Sequence, residues 1–179
     1  MTDQTMAKLT VITSTKPKRL TKHYTLQAGK LNKAGGGNMA TGHAQTVEVE
    51  GLRGLAELLA GLQPNQALCY GTPERESVDV VTREAWLQMG KPETPIPRIK
   101  ETFFWPADSA VMMLDYDPQV SRQPLDRDGL LAVLHDAVPA LTDVSCVWFP
   151  SSSSHITNND TGEDLTGLRG QRLYFIVRQ

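Results

Sequence analysis

The stretch Val111-Met-Met-Leu-Asp-Tyr-Asp-Pro118 ends an apolar run in two carboxylates one residue apart, Asp115 and Asp117. A short continuous apolar run with turn-forming residues on either side is typical of a buried β-strand. Because side chains alternate between the two faces of a strand, we expect Asp115 and Asp117 to share one face and Tyr116 to point the other way.

Two carboxylates this close repel each other, and a divalent cation relieves the repulsion. Mg²⁺ and Mn²⁺ prefer oxygen ligands and commonly bridge one or two carboxylates to substrate phosphates. The pair Asp115 and Asp117 therefore predicts a metal site at the end of the strand. The structural alternative is that one of the acids only caps a turn into Pro118.

Further along the chain, apolar periodicity predicts strands that alternate with helices. The predicted strands are residues 9–13, 23–26, 39–49, 66–71, 98–105, 145–149 and 172–177. The predicted helices are residues 52–62, 83–89 (with Thr82 as N-cap) and 125–138. This alternation indicates a layered α/β or α+β fold. Without repeats or a convincing boundary, residues 1–179 are predicted to form a single domain.

The predicted strand 172–177 is followed by only two residues. Domains often end in a polar tail or a docked helix, so a complete chain and a C-terminally truncated fragment of a longer protein both stay open.

The bulk composition excludes several classes of protein. The chain is 40% hydrophobic and 21% charged, which is ordinary for a globular domain, and its net charge of -2 indicates no partner. It has neither an apolar run of about 20 residues nor a signal peptide, so we expect a cytoplasmic protein without membrane contact. Cys69 and Cys146 lie in apolar surroundings without metal-ligand spacing, which predicts reduced core residues.

Charge is uneven along the chain. Residues 1–33 contain one acid, Asp3, against seven basic residues: Lys8, Lys16, Lys18, Arg19, Lys22, Lys30 and Lys33. A local basic surface can bind a phosphate-bearing partner even when the total charge is near neutral. The alternative is a solvated, flexible segment.

Hydroxyls and cations form two further candidate features. Pro150 to His155 places four serines and an imidazole directly after a predicted strand, where they could bind phosphate oxygens; a serine linker is the alternative. Arg98 and Lys100 would share one face of the predicted strand 98–105 and fit a triphosphate, or else line an exposed strand face. A Gly-x-Ser-x-Gly elbow is missing, which argues against a serine hydrolase.

These elements, in this order, resemble the archaeo-eukaryotic primase (prim-pol) superfamily, in particular the type found in bacterial plasmids, phages and integrative elements. The first family motif, an apolar strand ending in Asp-x-Asp, is similar to MMLDYD at 112–117. The second, a strand, a serine- or glycine-rich turn and a histidine, is similar to VWFPSSSSHI at 147–156. In mobile-element relatives a Gly-x-His-x-Tyr strand follows, and here Arg172 occupies the histidine position. The third motif, a downstream acid, has no clear counterpart, since nothing acidic follows Asp164.

The resemblance implies a small α/β unit joined to an RRM-like antiparallel sheet with flanking helices. It implies a nucleotidyltransferase that synthesises primers on a DNA template during replication of a mobile genetic element. The implied partners are nucleoside triphosphates, single-stranded DNA, and a helicase domain or protein. Two alternatives stay open: a non-catalytic nucleic-acid-binding replication module on the same fold, and a metal-dependent phosphoesterase.

The resemblance also implies roles for individual residues. Asp115 and Asp117 would hold two Mg²⁺ or Mn²⁺ ions, with His155 as a further catalytic residue. The implied nucleotide-binding residues are Ser153, Ser154, Arg172, Arg98 and Lys100. The implied template-binding residues are Lys16, Lys18, Arg19 and Lys22. Either His155 or Arg172 could fill the second-motif role.

Overall fold

The computed structural model describes residues 5–118 and 123–178, which form a mixed α+β fold. The strands are β1 (Met6–Lys16), β2 (His23–Gln27), β3 (Lys30–Ala34), β4 (Thr41–Glu50), β5 (Gln66–Cys69), β6 (Ser77–Val81), β7 (Ile96–Pro97), β8 (Ser109–Tyr116), β9 (Val147–Pro150) and β10 (Gln171–Arg178). The helices are α1 (Gly51–Gly61), α2 (Arg83–Gln88), α3 (Arg127–Ala137) and a short 3-10 helix (Pro139–Leu141). Within the described ranges, no helix combines the length and the apolar character needed to cross a membrane.

The described residues divide into two compact units. The first unit comprises residues 5–21, 35–112 and 176–178, and the second comprises residues 22–34, 113–118 and 123–175.

In the first unit, strand β1 is central and pairs antiparallel with β4 and with β5. β4 pairs antiparallel with β6, which pairs in parallel with β7, and β1 meets the start of β8 in parallel. Both pairing directions therefore occur, so the sheet is mixed. The predicted fold class, in which a sheet is combined with helices, is confirmed.

The first unit buries side chains on both faces of this sheet, and one hydrophobic cluster lies on the face that carries Ile12. Its buried side chains are Ile12, Ala44, Val78, Val80 and Phe103. β-Branched residues dominate because they pack well on a pleated surface.

Gly42 of β4 packs too closely against β1 to accept a larger residue. A Cβ atom at this position would lie 2.7 Å from the backbone oxygen of Thr13. We therefore expect Gly42→Ala to lower the free energy of unfolding by about 1–3 kcal/mol, as overpacking usually does. Gly61→Ala is the control, because a Cβ there meets nothing within 4 Å, and it should be neutral or slightly stabilising. Urea unfolding of the two variants checks this, and equal stabilities would contradict it.

In the second unit, strands β8, β10 and β9 are neighbours in that order. β9 and β10 pair antiparallel, with Pro150 opposite Gln171 and Val147 opposite Tyr174. Gln171 is fully buried; its side-chain oxygen accepts from Trp148 Nε1 at 2.8 Å, and its Nε2 donates to the Leu125 carbonyl at 2.6 Å. This buried amide therefore links the β9–β10 pair to the segment that precedes α3.

One predicted strand is wrong. Residues 98–101 form bends and turns, in which the backbone N–H groups of Thr102 and Phe103 donate to the Ile99 carbonyl at 3.1 and 2.9 Å. The short pairing of β7 with β6 ends at Pro97. Arg98 and Lys100 are exposed. They do not lie on a strand, so the expectation that they share a strand face is wrong.

Candidate functional site

Asp115 and Asp117 lie at the end of β8 in the second unit. Both are exposed, whereas Tyr116 between them is half-buried and its hydroxyl accepts from the Leu125 N–H at 3.3 Å. Asp115 is the second-last residue of β8 and Asp117 follows the strand directly, so the two carboxylates are close together along the chain. They are accessible to solvent ions and to ligands, which is the first requirement of a metal or phosphate site.

Arg172 at the start of β10 forms an ion pair with Asp115. Its Nε donates to Oδ1 of Asp115 at 3.0 Å, and both side chains are partly exposed, at 40% and 50%. Burial alone would lower the pKa of Arg172, but the hydrogen bond to Asp115 and the proximity of Tyr174 raise that pKa above its ordinary value. The guanidinium therefore stays charged at any working pH, directly beside one of the two candidate metal ligands.

The serine turn after β9 folds back onto the start of β10. Ser151 N–H donates to the Gly170 carbonyl at 2.8 Å, and the Ser151 and Ser153 hydroxyls are 2.8 Å apart. The hydroxyl of Ser154 is buried between two backbone groups, donating to the Gly170 carbonyl and accepting from the Arg169 N–H, each at 2.9 Å. Ser154 thus stabilises the turn, which leaves Ser151 and Ser153 as the half-buried hydroxyls that a ligand could meet.

Gly170 brings this turn close to the end of β8. A Cβ atom at position 170 would lie 2.9 Å from the Ser151 hydroxyl oxygen and 3.1 Å from the carbonyl oxygen of Tyr116. Only glycine allows this approach without a shift of the neighbours. The serine turn therefore lies close to the end of β8, where Arg172 pairs with Asp115 and Asp117 follows in sequence.

His155 has a left-handed backbone, with φ of 52°, and its side chain is hydrogen-bonded to Asp164. Its Nδ1 lies 2.6 Å from Oδ2 of Asp164, while Oδ1 of Asp164 accepts from the backbone N–H groups of Thr166 and Gly167 at 3.1 and 2.8 Å. Asp164 thereby fixes the imidazole within the loop. If Nδ1 carries the proton, Nε2 faces outward as a potential acceptor.

The Asp164 carboxylate stabilises this loop in a pH-dependent way. The hydrogen bond from His155, followed by the N–H groups of Gly167 and Thr166, lowers the pKa of Asp164 below its ordinary value. A carboxylate with a lowered folded-state pKa stabilises the loop above about pH 4 and loses that effect as the pH falls through the folded pKa. We expect the protection of the Gly167 amide, its exchange rate compared with the intrinsic rate at the same pH, to fall as the medium is acidified through this window. Asp164→Asn should remove this dependence and Asp143→Asn, an exposed acid outside the loop, should not; identical acid profiles for both variants would contradict the assignment.

The described residues contain no group of three or more His, Cys, Asp or Glu side chains arranged to hold a metal ion. A cation at Asp115 and Asp117 would therefore complete its shell with water or substrate oxygens, as Mg²⁺ commonly does. The donor set, two exposed carboxylates one residue apart, fits such a hard ion.

The remaining predicted site residues are distributed over both units. Lys16, Lys18 and Arg19 are exposed in the first unit, as are Arg98 and Lys100, whereas Lys22 is half-buried at the base of the β2–β3 hairpin in the second unit. The sequence reasoning missed Asp164, because its link to His155 depends on loop folding and not on a recognisable spacing.

Comparison of the chain with protein-family models, with curated proteins and with solved structures found no match. Its function must therefore be inferred from the chemistry of its own side chains.

Proposed function

We propose that this chain is a primase-polymerase-like domain that joins nucleotides on a DNA template with the help of divalent metal. The observation that carries the proposal is that the Asp115–Arg172 pair and the Ser151–Ser153 turn both lie at the end of β8, directly before Asp117. Carboxylates, a guanidinium and hydroxyls are the groups that recognise a metal-bound triphosphate. The order of these elements along the chain is also that of the family resemblance.

In this proposal each side chain has a distinct task. Asp115 and Asp117 would hold Mg²⁺ or Mn²⁺, which on binding would supply charge neutralisation at the transferring phosphate. Arg172, charged and oriented by Asp115, would contact a phosphate oxygen, and the hydroxyls of Ser151 and Ser153 would donate to neighbouring oxygens. His155, held by Asp164, would orient the nucleotide through Nε2.

One observation favours a second candidate, a non-catalytic nucleic-acid-binding module. Asp115 is already neutralised by Arg172, and no third acid joins Asp115 and Asp117 within the part of the chain that the structure describes. A binding module would need the cations and the fold but not two free carboxylates.

The decisive experiment incubates the purified chain with a single-stranded DNA template, labelled ribo- or deoxyribonucleoside triphosphates, and Mg²⁺ or Mn²⁺. Products longer than one nucleotide on a denaturing gel support the proposal. Template binding without any new strand supports the binding module. Release of phosphate or cleavage of the template without synthesis indicates a phosphoesterase and overturns both.

A further inference from the structure

The hairpin formed by β2 and β3 has an unusual charge balance. The chain has no Asp or Glu between residues 5 and 47, whereas seven Lys or Arg residues fall in this span. Of these, Lys8 pairs with Glu48 at 3.2 Å. Lys30 and Lys33 are exposed on the hairpin, Lys22 precedes it, and none of the three makes a salt bridge with any described residue. The hairpin itself therefore carries positive charge without an acidic residue, whereas the loop 156–165 contains Asp160, Glu163 and Asp164.

One face of the hairpin is apolar. Leu26 is paired with Leu31 across the strands, and Tyr24 lies two residues before Leu26, so these three side chains share a face. They line a cavity of about 340 Å³ together with the loop 156–165 of the same unit. This loop begins directly after His155, so the cavity and the candidate site belong to one continuous stretch of chain.

The lining of the cavity suits a planar, polar-edged ligand. Leu26, Leu31, Ile156 and Leu165 supply apolar surface, Asn158 and Asn159 supply amide groups, and Asp160 supplies a carboxylate that could accept a hydrogen bond from a base edge. An unstacked base has the same combination of flat faces and hydrogen-bonding edges. The volume is at the low end of small-ligand pockets, which run from about 300 to 1,000 Å³, so it would accept a single base but not a base pair.

A second observation also indicates that, within the described part of the chain, the hairpin lacks a hydrogen-bonding partner. The hydroxyl of Tyr24 is buried and has no hydrogen-bond partner among the described residues. Buried polar groups are nearly always hydrogen-bonded, so an unpartnered hydroxyl usually marks a water or ligand position.

We propose that the β2–β3 hairpin and the loop 156–165 together bind single-stranded nucleic acid. An unstacked base enters the cavity, and the neighbouring backbone phosphates lie on Lys22, Lys30 and Lys33. This inference rests on the proposed function in one respect: the bound strand is a template only if the chain is a primase-polymerase-like domain. Binding itself does not require catalysis, so the two can be tested separately.

The charge component is tested by fluorescence anisotropy with a labelled oligothymidine over a range of NaCl concentrations. Three phosphate contacts on a single strand predict that log K falls with log salt with a slope of about -2. The double variant Lys30→Glu, Lys33→Glu should weaken binding about tenfold or more and reduce the slope by about 1.4. Arg83→Glu, an exposed cation on α2 in the first unit, is the matched control and should change neither quantity.

The cavity component is tested with Leu31→Trp, which fills the cavity from the face that lines it and leaves the charge unchanged. We expect about tenfold weaker binding with an unaltered salt slope, since base stacking is lost and phosphate contacts are kept. An oligonucleotide of abasic sites should bind the wild type as weakly as the variant binds oligothymidine. Equal affinity of the wild type for abasic and normal strands would overturn the base pocket.

Two outcomes separate this inference from the proposed function. If the chain synthesises primers while the hairpin variants bind oligothymidine normally, the inference is wrong and the proposed function stands. If oligothymidine binding depends on the hairpin but no synthesis is detected, the inference is supported and the proposed function is wrong.

Discussion

Asp115→Asn and Asp117→Asn are each expected to lower the rate of nucleotide incorporation by about a thousandfold or more. Losing one carboxylate ligand removes several kcal/mol of charge stabilisation at the transferring phosphate, and each 1.4 kcal/mol or so corresponds to a factor of ten. Asparagine keeps the shape of the side chain and removes only its charge. Primer extension under single-turnover conditions with Mn²⁺ measures the effect.

The control for this loss is Asp136→Asn, which removes an exposed acid from α3 in the same unit. It should leave incorporation unchanged. Asp115→Asn also breaks the ion pair with Arg172, but an exposed pair of this kind contributes about 0–1 kcal/mol, so the variant should remain folded. Full activity of either carboxylate variant would show that the metal site has been assigned to the wrong residues.

Phe175→Ala is expected to be the most damaging single core substitution, with a loss of about 3–5 kcal/mol in the free energy of unfolding. Phe175 lies on β10, is 1% exposed, and is the largest of the fully buried side chains. Its removal loses the favourable free energy of transferring an aromatic ring from water to the protein interior. It also leaves a cavity that the neighbouring strands cannot fill. Urea unfolding followed by circular dichroism measures the loss.

Phe104→Ala is the matched control, because the same side chain is 44% exposed there. Its replacement should cost much less than that of Phe175, since little transfer energy is lost. Comparable losses for the two variants would mean that β10 is not the packed centre of its strands.

Local chemistry made most of the regular elements predictable. Thr82 caps α2 by accepting from the Ala85 N–H at 3.1 Å, and Asp126 caps α3 by accepting from the Gly129 N–H at 2.7 Å. The apolar run before Asp115 forms β8, and the predicted strand at 172–177 lies within β10. These features depend on neighbours within a few residues, which the sequence displays directly.

One strand prediction failed because its residues alternate in polarity but have no neighbouring strand to pair with among the described residues. Residues 98–105 alternate in polarity like a strand, yet the chain turns at Ile99 because no neighbour continues the ladder beyond Pro97. The second strand of the basic hairpin, β3, was also missed. Its pairing with β2 is carried by Leu26 and Leu31 across a tight turn at Ala28 and Gly29, both with positive φ.

Local sequence patterns indicated the three longer helices, most of the longer strands, the pair Asp115 and Asp117, and the basic segment near the start of the chain. Tertiary structure alone decided that Arg172 pairs with Asp115, 57 residues away, and that Asp164 holds His155. It also decided that the Ser154 hydroxyl is hydrogen-bonded to the backbone of the turn. The physical reason is that periodicity and capping are local, whereas partner choice depends on which strands become neighbours and how closely Gly170 lets them approach.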